Sequence, residues 1–261
     1  MPYVDNSGVS IHYHVEGEGP PLVMQHGLTN SLQTWYAYGF VEELKKEYRV
    51  ILVDARGHGR SDKPHDPKDY DLKLRVCDIL AVMDDLDVDK AHYMGYSMGG
   101  RIGFGLVMHA LDRFHSLILG GMGADTVNSD TPPQDRINTL RQGMAHYVSE
   151  AEAKEGPIEA GRRERLLAND PEALIAATTA PKGTDGVPKL LPGLNLPCLL
   201  YCGDADGFYP GSKAAAEAIP NSVFVTLPGL NHGEASRAGE LVLPHVTRFL
   251  EQAAANVAAG V

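Results

Sequence analysis

Five residues near the middle of the chain, Gly95-Tyr96-Ser97-Met98-Gly99, hold a serine between two glycines at the end of an apolar run. A serine on a tight strand-to-helix turn is forced into a strained backbone conformation, and any neighbour larger than glycine would collide with that turn. The turn lifts the hydroxyl clear of the sheet and aims a helix N-terminus at whatever it attacks. A serine hydroxyl is a weak nucleophile near neutral pH, so it needs a base, and the base needs an orienting acid. The negative charge that develops on an attacked carbonyl needs hydrogen-bond donors.

A candidate for each role stands in a loop after a strand. Of the eleven histidines, His232 lies in Leu227-Pro228-Gly229-Leu230-Asn231-His232-Gly233, directly after the last expected strand. His109, His115, His146 and His245 fall in or beside helices, and His58 sits in a glycine turn. His12 and His14 share one strand face, but no third metal ligand accompanies them. The acid is expected one strand earlier, where Tyr201-Cys202-Gly203-Asp204-Ala205-Asp206-Gly207 offers Asp204 and Asp206; Asp125 is a third possibility. The donors are expected to be the backbone N–H groups of Met98, after the serine, and Leu28, in the His26-Gly27-Leu28 loop. His26 itself reads as a loop-holding residue.

These loops need a sheet to carry them. Val9–Val15 alternates with period two, as a half-exposed antiparallel edge strand does. Residues 21–24, 50–53, 91–94, 116–119, 197–201 and 223–227 are short apolar runs suited to strands covered on both faces. Helical patterns fall between them at 32–47, 72–86, 100–111 and 212–218, with a last helix from Glu240 whose end is the Ala253–Val261 tail. The alternation predicts an α/β fold: a mostly parallel central sheet of about eight strands flanked by helices. From Ala124 to Leu196 there is no convincing strand, only helical segments at 134–154, 161–168 and 171–180, the last capped by Asn169 or Asp170 with Pro171 in its first turn. Residues 1–123 and 197–261 therefore read as a core domain. Residues 124–196 read as a small helical cap inserted before the seventh strand, over the sheet edge where open α/β sheets bind ligands.

The 261 residues and 43% hydrophobic content suffice for one large domain. A net charge of −11 disfavours nucleic acid and anionic membrane surfaces as partners, and the steering of strongly anionic substrates as well, while leaving room for a locally basic pocket. The basic run Arg162-Arg163-Glu164-Arg165 is broken by acid and reads as a solvated helix face. No stretch is long and apolar enough for a membrane helix, the N-terminus lacks a signal-peptide pattern, and Cys77, Cys198 and Cys202 form no paired framework; a cytoplasmic location is expected.

Taken together, these residues resemble the α/β-hydrolase fold, among its capped serine esterases and lactonase-like relatives. The resemblance rests on His26-Gly27, the Asp54-Ala55-Arg56-Gly57-His58-Gly59-Arg60-Ser61 turn, Gly95-Tyr96-Ser97-Met98-Gly99-Gly100, Gly203-x-x-Asp206 and Asn231-His232, spread over nearly the whole chain in the order serine, acid, histidine. The family's acid usually stands three residues after the glycine, which selects Asp206. A serine nucleophile disfavours the epoxide-hydrolase and haloalkane-dehalogenase branches. Gln25 and Leu28-Thr29-Asn30 depart from the usual residues around the His-Gly loop. The resemblance implies a catalytic triad of Ser97, Asp206 and His232, needing no cofactor or metal. It would cleave a small carboxylic ester, thioester or lactone through an acyl-enzyme. Carbon–carbon bond hydrolases or lyases and perhydrolases use the same scaffold, and Ser97-Met98-Gly99-Gly100-Arg101 resembles a menaquinone-pathway lyase of this fold. Small-ligand receptors of this fold form a further class. Trp35, Met122, Tyr147, Phe208, Tyr209 and Leu230 are the expected contacts for a small acyl substrate.

Overall fold

The computed structural model describes residues 2–124 and 134–259, with side chains to residue 255. In chain order the elements are β1 (Tyr3–Asn6), β2 (Val9–Glu16), β3 (Pro21–Gln25), α1 (Gln33–Ala37), α2 (Phe40–Leu44), β4 (Arg49–Val53), α3 (Leu72–Asp85), β5 (Ala91–Tyr96), α4 (Met98–His109), β6 (Phe114–Gly120), α5 (Gln134–Arg141), α6 (Met144–Glu155), α7 (Ala160–Leu167), α8 (Pro171–Thr179), α9 (Val187–Leu190), β7 (Cys198–Gly203), α10 (Tyr209–Ala218), β8 (Val223–Leu227), α11 (His232–Ala235) and α12 (Gly239–Ala259). Among the described residues no helix is long and apolar enough to cross a membrane.

The eight strands form one sheet in the order β1-β2-β4-β3-β5-β6-β7-β8. The β1–β2 and β2–β4 pairs are antiparallel and all others parallel. The period-two segment is not the edge strand expected of it. Tyr3–Asn6 folds back outside it through Ser7-Gly8, both at positive φ (57° and 83°), which gives the twist a two-residue hairpin requires. Four residues are too few to show alternation, so β1 is missed in the sequence.

The apolar strands alternate their side chains between two cores. Ile51, Val53, Tyr93, Leu119 and Leu200 pack with Val76 and Ile79 of α3 and Ile102 and Phe104 of α4. Val50, Leu52, Met94, Leu199 and Tyr201 pack with Phe40 and Val41 of α2 and Val246 and Phe249 of α12.

Two expected helices are broken at glycine. The 32–47 pattern divides at Gly39 (φ 78°) into α1 and α2, and the 134–154 pattern divides at Gly143 (φ 90°) into α5 and α6. Left-handed backbone ends an α-helix, and glycine adopts it without a Cβ clash. Helices α5 to α9 all lie between β6 and β7. Asp170 caps α8, accepting from the Glu172 and Ala173 N–H groups at 2.9 and 3.2 Å. The short α9 returns to the core, with Val187 buried among the residues against α4. The tail expected to end the last helix continues α12 to Ala259, and residues 260 and 261 lie outside the described residues.

Candidate active site

Parallel register brings the C-terminal ends of β3, β5, β6, β7 and β8 to one edge of the sheet. Ser97 leaves β5 there with φ 54° and ψ −108°, a region that costs a non-glycine residue on the order of 1–3 kcal/mol. The flanking glycines are steric necessities. A Cβ on Gly95 would stand 2.3 Å from the Gly99 carbonyl oxygen, and one on Gly99 would stand 2.1 Å from the Gln25 carbonyl oxygen. The turn is pinned by the Ser97 N–H donating to Gly120 O at 2.8 Å, and α4 begins at once. Gln25 is buried and donates its side-chain amide to Val53 O at 3.3 Å, so this polar residue supports the neighbouring strand.

His232 stands at the first position of α11, which starts in a capping box between Asn231 and Glu234. Its Nε2 lies 2.9 Å from Ser97 Oγ and its Nδ1 lies 2.7 Å from Asp206 Oδ2. Residues 97, 206 and 232 thus form one continuous chain of hydrogen bonds. The proton on Nδ1 facing a carboxylate leaves Nε2 free to accept from the hydroxyl, the tautomer a general base needs. Asp206 is buried, which alone would raise its pKa. The His232 imidazole, the Phe208 N–H (3.0 Å) and the Cys202 thiol (3.4 Å) outweigh burial and hold the carboxyl below its usual range. The His232 side chain is 37% exposed, and it lines both cavities beside Ser97. Its backbone carbonyl accepts from Tyr96 Oη at 2.6 Å, and the Tyr96 and Phe208 rings lie against it at 5.3 and 5.2 Å.

The alternative acids are separated by geometry. Asp204 is exposed and accepts from the Gly229 N–H at 2.7 Å, bracing the loop that carries His232. Asp125 lies outside the described residues.

Met98 N–H is the first of helix α4 and has no partner among the described residues, as the first turn of any helix leaves its donors free. Among the described residues no acceptor takes the Leu28 N–H either. His26 is buried; its Nε2 accepts from the Ala55 N–H (3.2 Å) and its Nδ1 faces Gly27 O (2.8 Å), with burial lowering its pKa. It is a neutral brace for the Leu28 loop. Thr29, at φ 65°, offers its carbonyl to the Asn169 side chain at 2.9 Å, so the segment joining α7 to α8 is bonded to the residue after Leu28.

Two cavities meet at this point. One of about 120 Å³ and one of about 220 Å³ share Leu28, Ser97, Arg136 and His232 as walls. Of the expected contacts, Met122 and Phe208 line the smaller cavity and Tyr147 the larger. The other three are corrected. Trp35 is fully packed, edge-on to Phe40 at 5.0 Å, in the core beneath the sheet. Tyr209 points along α10 to Thr226 Oγ1 (2.9 Å) and Phe224. Leu230 turns its carbonyl to the Ala205 N–H (3.2 Å) and its side chain to the α12 core.

Sequence reasoning missed the residues that give the smaller cavity its charge. Arg75 from α3, Arg101 from α4, Lys182 after α8 and Arg136 from α5 all line it, against an overall acidic balance. Only Arg101 carried a local signal, four residues and one helical turn after Ser97. Burial pushes Arg75 and Arg101 down to about 10, with Arg101 adding to the effect on Arg75 and Arg136 to that on Arg101. Burial and the neighbouring arginines push Lys182 down to about 8. Arg162, expected on a solvated face, lines the larger cavity and pairs with Glu155 at 2.9 Å.

Residues 20–162 match the model of the alpha/beta hydrolase fold family. The chain is 28% identical over 248 residues to a protein of Bacillus subtilis (strain 168) provisionally named 2-succinyl-6-hydroxy-2,4-cyclohexadiene-1-carboxylate synthase, covering 85% of this chain and 88% of that one. It is similar to the crystal structure of a hydrolase from Pseudomonas aeruginosa PA01 (26% identity, TM-score 0.84, 95% and 97% of the two chains). It is also similar to the enol-lactonase from Burkholderia xenovorans LB400 (26% identity, TM-score 0.82, 96% and 100%). With sheet order, strained serine turn and family model in agreement, the chain belongs to the alpha/beta hydrolase fold family.

Proposed function

We propose that this protein is a serine hydrolase that cleaves a small carboxylic ester, thioester or lactone through an acyl-enzyme. The observation that carries the reading is the unbroken chain from Ser97 Oγ through His232 to Asp206, beside two free N–H donors. Ser97 Oγ attacks the acyl carbon while His232 Nε2 takes its proton. The oxyanion is held by the Leu28 and Met98 N–H groups. Collapse expels the alkoxide or thiolate, which leaves with the proton from His232. Water then attacks the acyl-serine, with His232 again taking and returning one proton, and Asp206 stabilises the imidazolium in both halves. Similarity to an enol-lactonase supports including lactones among the substrates.

Ser97→Ala is expected to lower turnover of a p-nitrophenyl acyl ester by ~10³-fold or more. A variant that keeps a near-wild-type rate would overturn the mechanism. Esters of increasing acyl length, together with lactones, would then rank substrates.

A second reading, carbon–carbon bond cleavage or elimination on the same three residues, is favoured by the cations of the smaller cavity and by the name of the Bacillus relative. Comparing an aryl ester with a vinylogous diketone on one preparation separates the two.

A further inference from the structure

The smaller cavity is unusual in its charge. Its walls include Arg75, Arg101, Arg136 and Lys182, and no aspartate or glutamate is among the described residues that line it. Like charges gathered out of water are unfavourable unless an opposite charge joins them. Elsewhere the protein supplies that charge itself: buried Arg56 is gripped by Asp78 through two bonds of 2.7 Å.

Inside the cavity the donors remain open. Among the described residues Arg101 Nη1 is buried without a partner, and its Nη2 reaches only the Met122 sulfur at 3.7 Å. Thr178 Oγ1 of α8, which also lines the cavity, is likewise buried and unpartnered among the described residues. Arg75 is fixed by the Tyr70 and Ala177 carbonyls (2.9 and 3.2 Å) and lies over the Tyr70 ring at 5.2 Å, which orients it without neutralising it. Eight buried side-chain polar atoms are unpartnered among the described residues, and the two that line this cavity, from α4 and α8, sit where four cations already favour an acceptor.

We infer that this cluster binds a carboxylate carried by the acyl part of the substrate, at the end remote from the bond cleaved. Arg101 N–H donates to Ser97 O at 2.9 Å, so the two residues stand one helical turn apart on one wall. Leu28, Met98 and Ile102 line the same cavity and suit a short aliphatic link between a carbonyl at Ser97 and a carboxylate among the cations. A cavity of about 120 Å³ suits a short acyl chain and not a nucleotide. The position of the acyl group rests on the hydrolase reading; the anion site does not.

The test therefore has a binding arm and a rate arm. Calorimetric titration of glutarate into the Ser97→Ala protein is expected to show saturable binding that Arg101→Met and Lys182→Met each weaken ~10-fold or more, while valeramide does not bind. In the otherwise wild-type enzyme, the same two substitutions are expected to lower kcat/KM for mono-p-nitrophenyl glutarate ~10–100-fold and to change that for p-nitrophenyl valerate less than ~3-fold. Succinate and adipate half-esters then set the chain length. Absence of dicarboxylate binding, binding of inorganic phosphate in its place, or equal losses for charged and neutral esters would each overturn the inference. If neither ester is cleaved, the hydrolase reading fails and the glutarate titration alone decides the anion site.

Discussion

Arg56 is fully buried and Arg101 half-buried with one guanidinium nitrogen out of reach of solvent, and the hydrolase fold treats them in opposite ways. Arg56 is closed on every side: Asp78 takes two of its bonds, the Asp69 carbonyl takes a third at 2.6 Å, and Asn6 donates to the same Asp78 carboxylate. Among the described residues Arg101 has no carboxylate and one nitrogen with no partner. The first arrangement holds the turn after β4 against α3. The second leaves a charge exposed to a cavity and not to the fold. Buried charge answered internally reports architecture, and buried charge left unanswered reports a site.

The comparison can be broken most decisively at its closed member. Arg56→Ala leaves Asp78 buried and unpaired but for Asn6, and it is expected to lower unfolding free energy by about 3–5 kcal/mol in urea titration. A loss below about 1 kcal/mol would mean the pair is not structural. Arg101→Met should behave differently: a thioether of similar reach replaces an uncompensated charge, so stability is expected to stay level or rise by about 1 kcal/mol, read from the urea midpoint at unchanged slope. A marked loss would place Arg101 with Arg56.

The smallest effect sharpens the comparison. Lys182 is held down to about 8 by burial and then by its arginine neighbours, so removing the Arg101 charge is expected to raise its pKa, followed by NMR of the lysine side chain. The sign in stability follows. Between about 8 and the ordinary lysine value the unfolded chain binds a proton that the folded chain lacks, so this residue makes stability rise with pH across that window. Arg101→Met should shorten the rise. An unchanged lysine titration would show the two charges do not interact.

Local patterns made much of this molecule legible. Residues 223–227 are β8 to the residue, because a short apolar run bounded by turns leaves few alternatives. Asp206 needed more than local chemistry, since Asp204 has the same residue type and a similar turn; three-dimensional bonding separates them. The breaks at Gly39 and Gly143 were hidden because a single glycine inside a helical pattern is as compatible with continuation as with a stop. The cationic wall was hidden for a different reason. Its members lie at positions 75, 101, 136 and 182 on separate elements, and the acidic surface dominates the net charge. Trp35 shows the converse error, since a large aromatic near a site-bearing loop is as often core as contact.

The bond from Asn169 to the Thr29 carbonyl couples access to chemistry. Leu28, which lines both cavities beside Ser97, is the residue before that anchor. If helices α7 and α8 swing outward to admit a ligand, they pull on the same short loop and, on the proposed mechanism, displace the Leu28 donor. Reaction then waits for reclosure, and a half-admitted molecule meets an idle serine. On the proposed mechanism, catalytic competence would then depend on the chamber being shut.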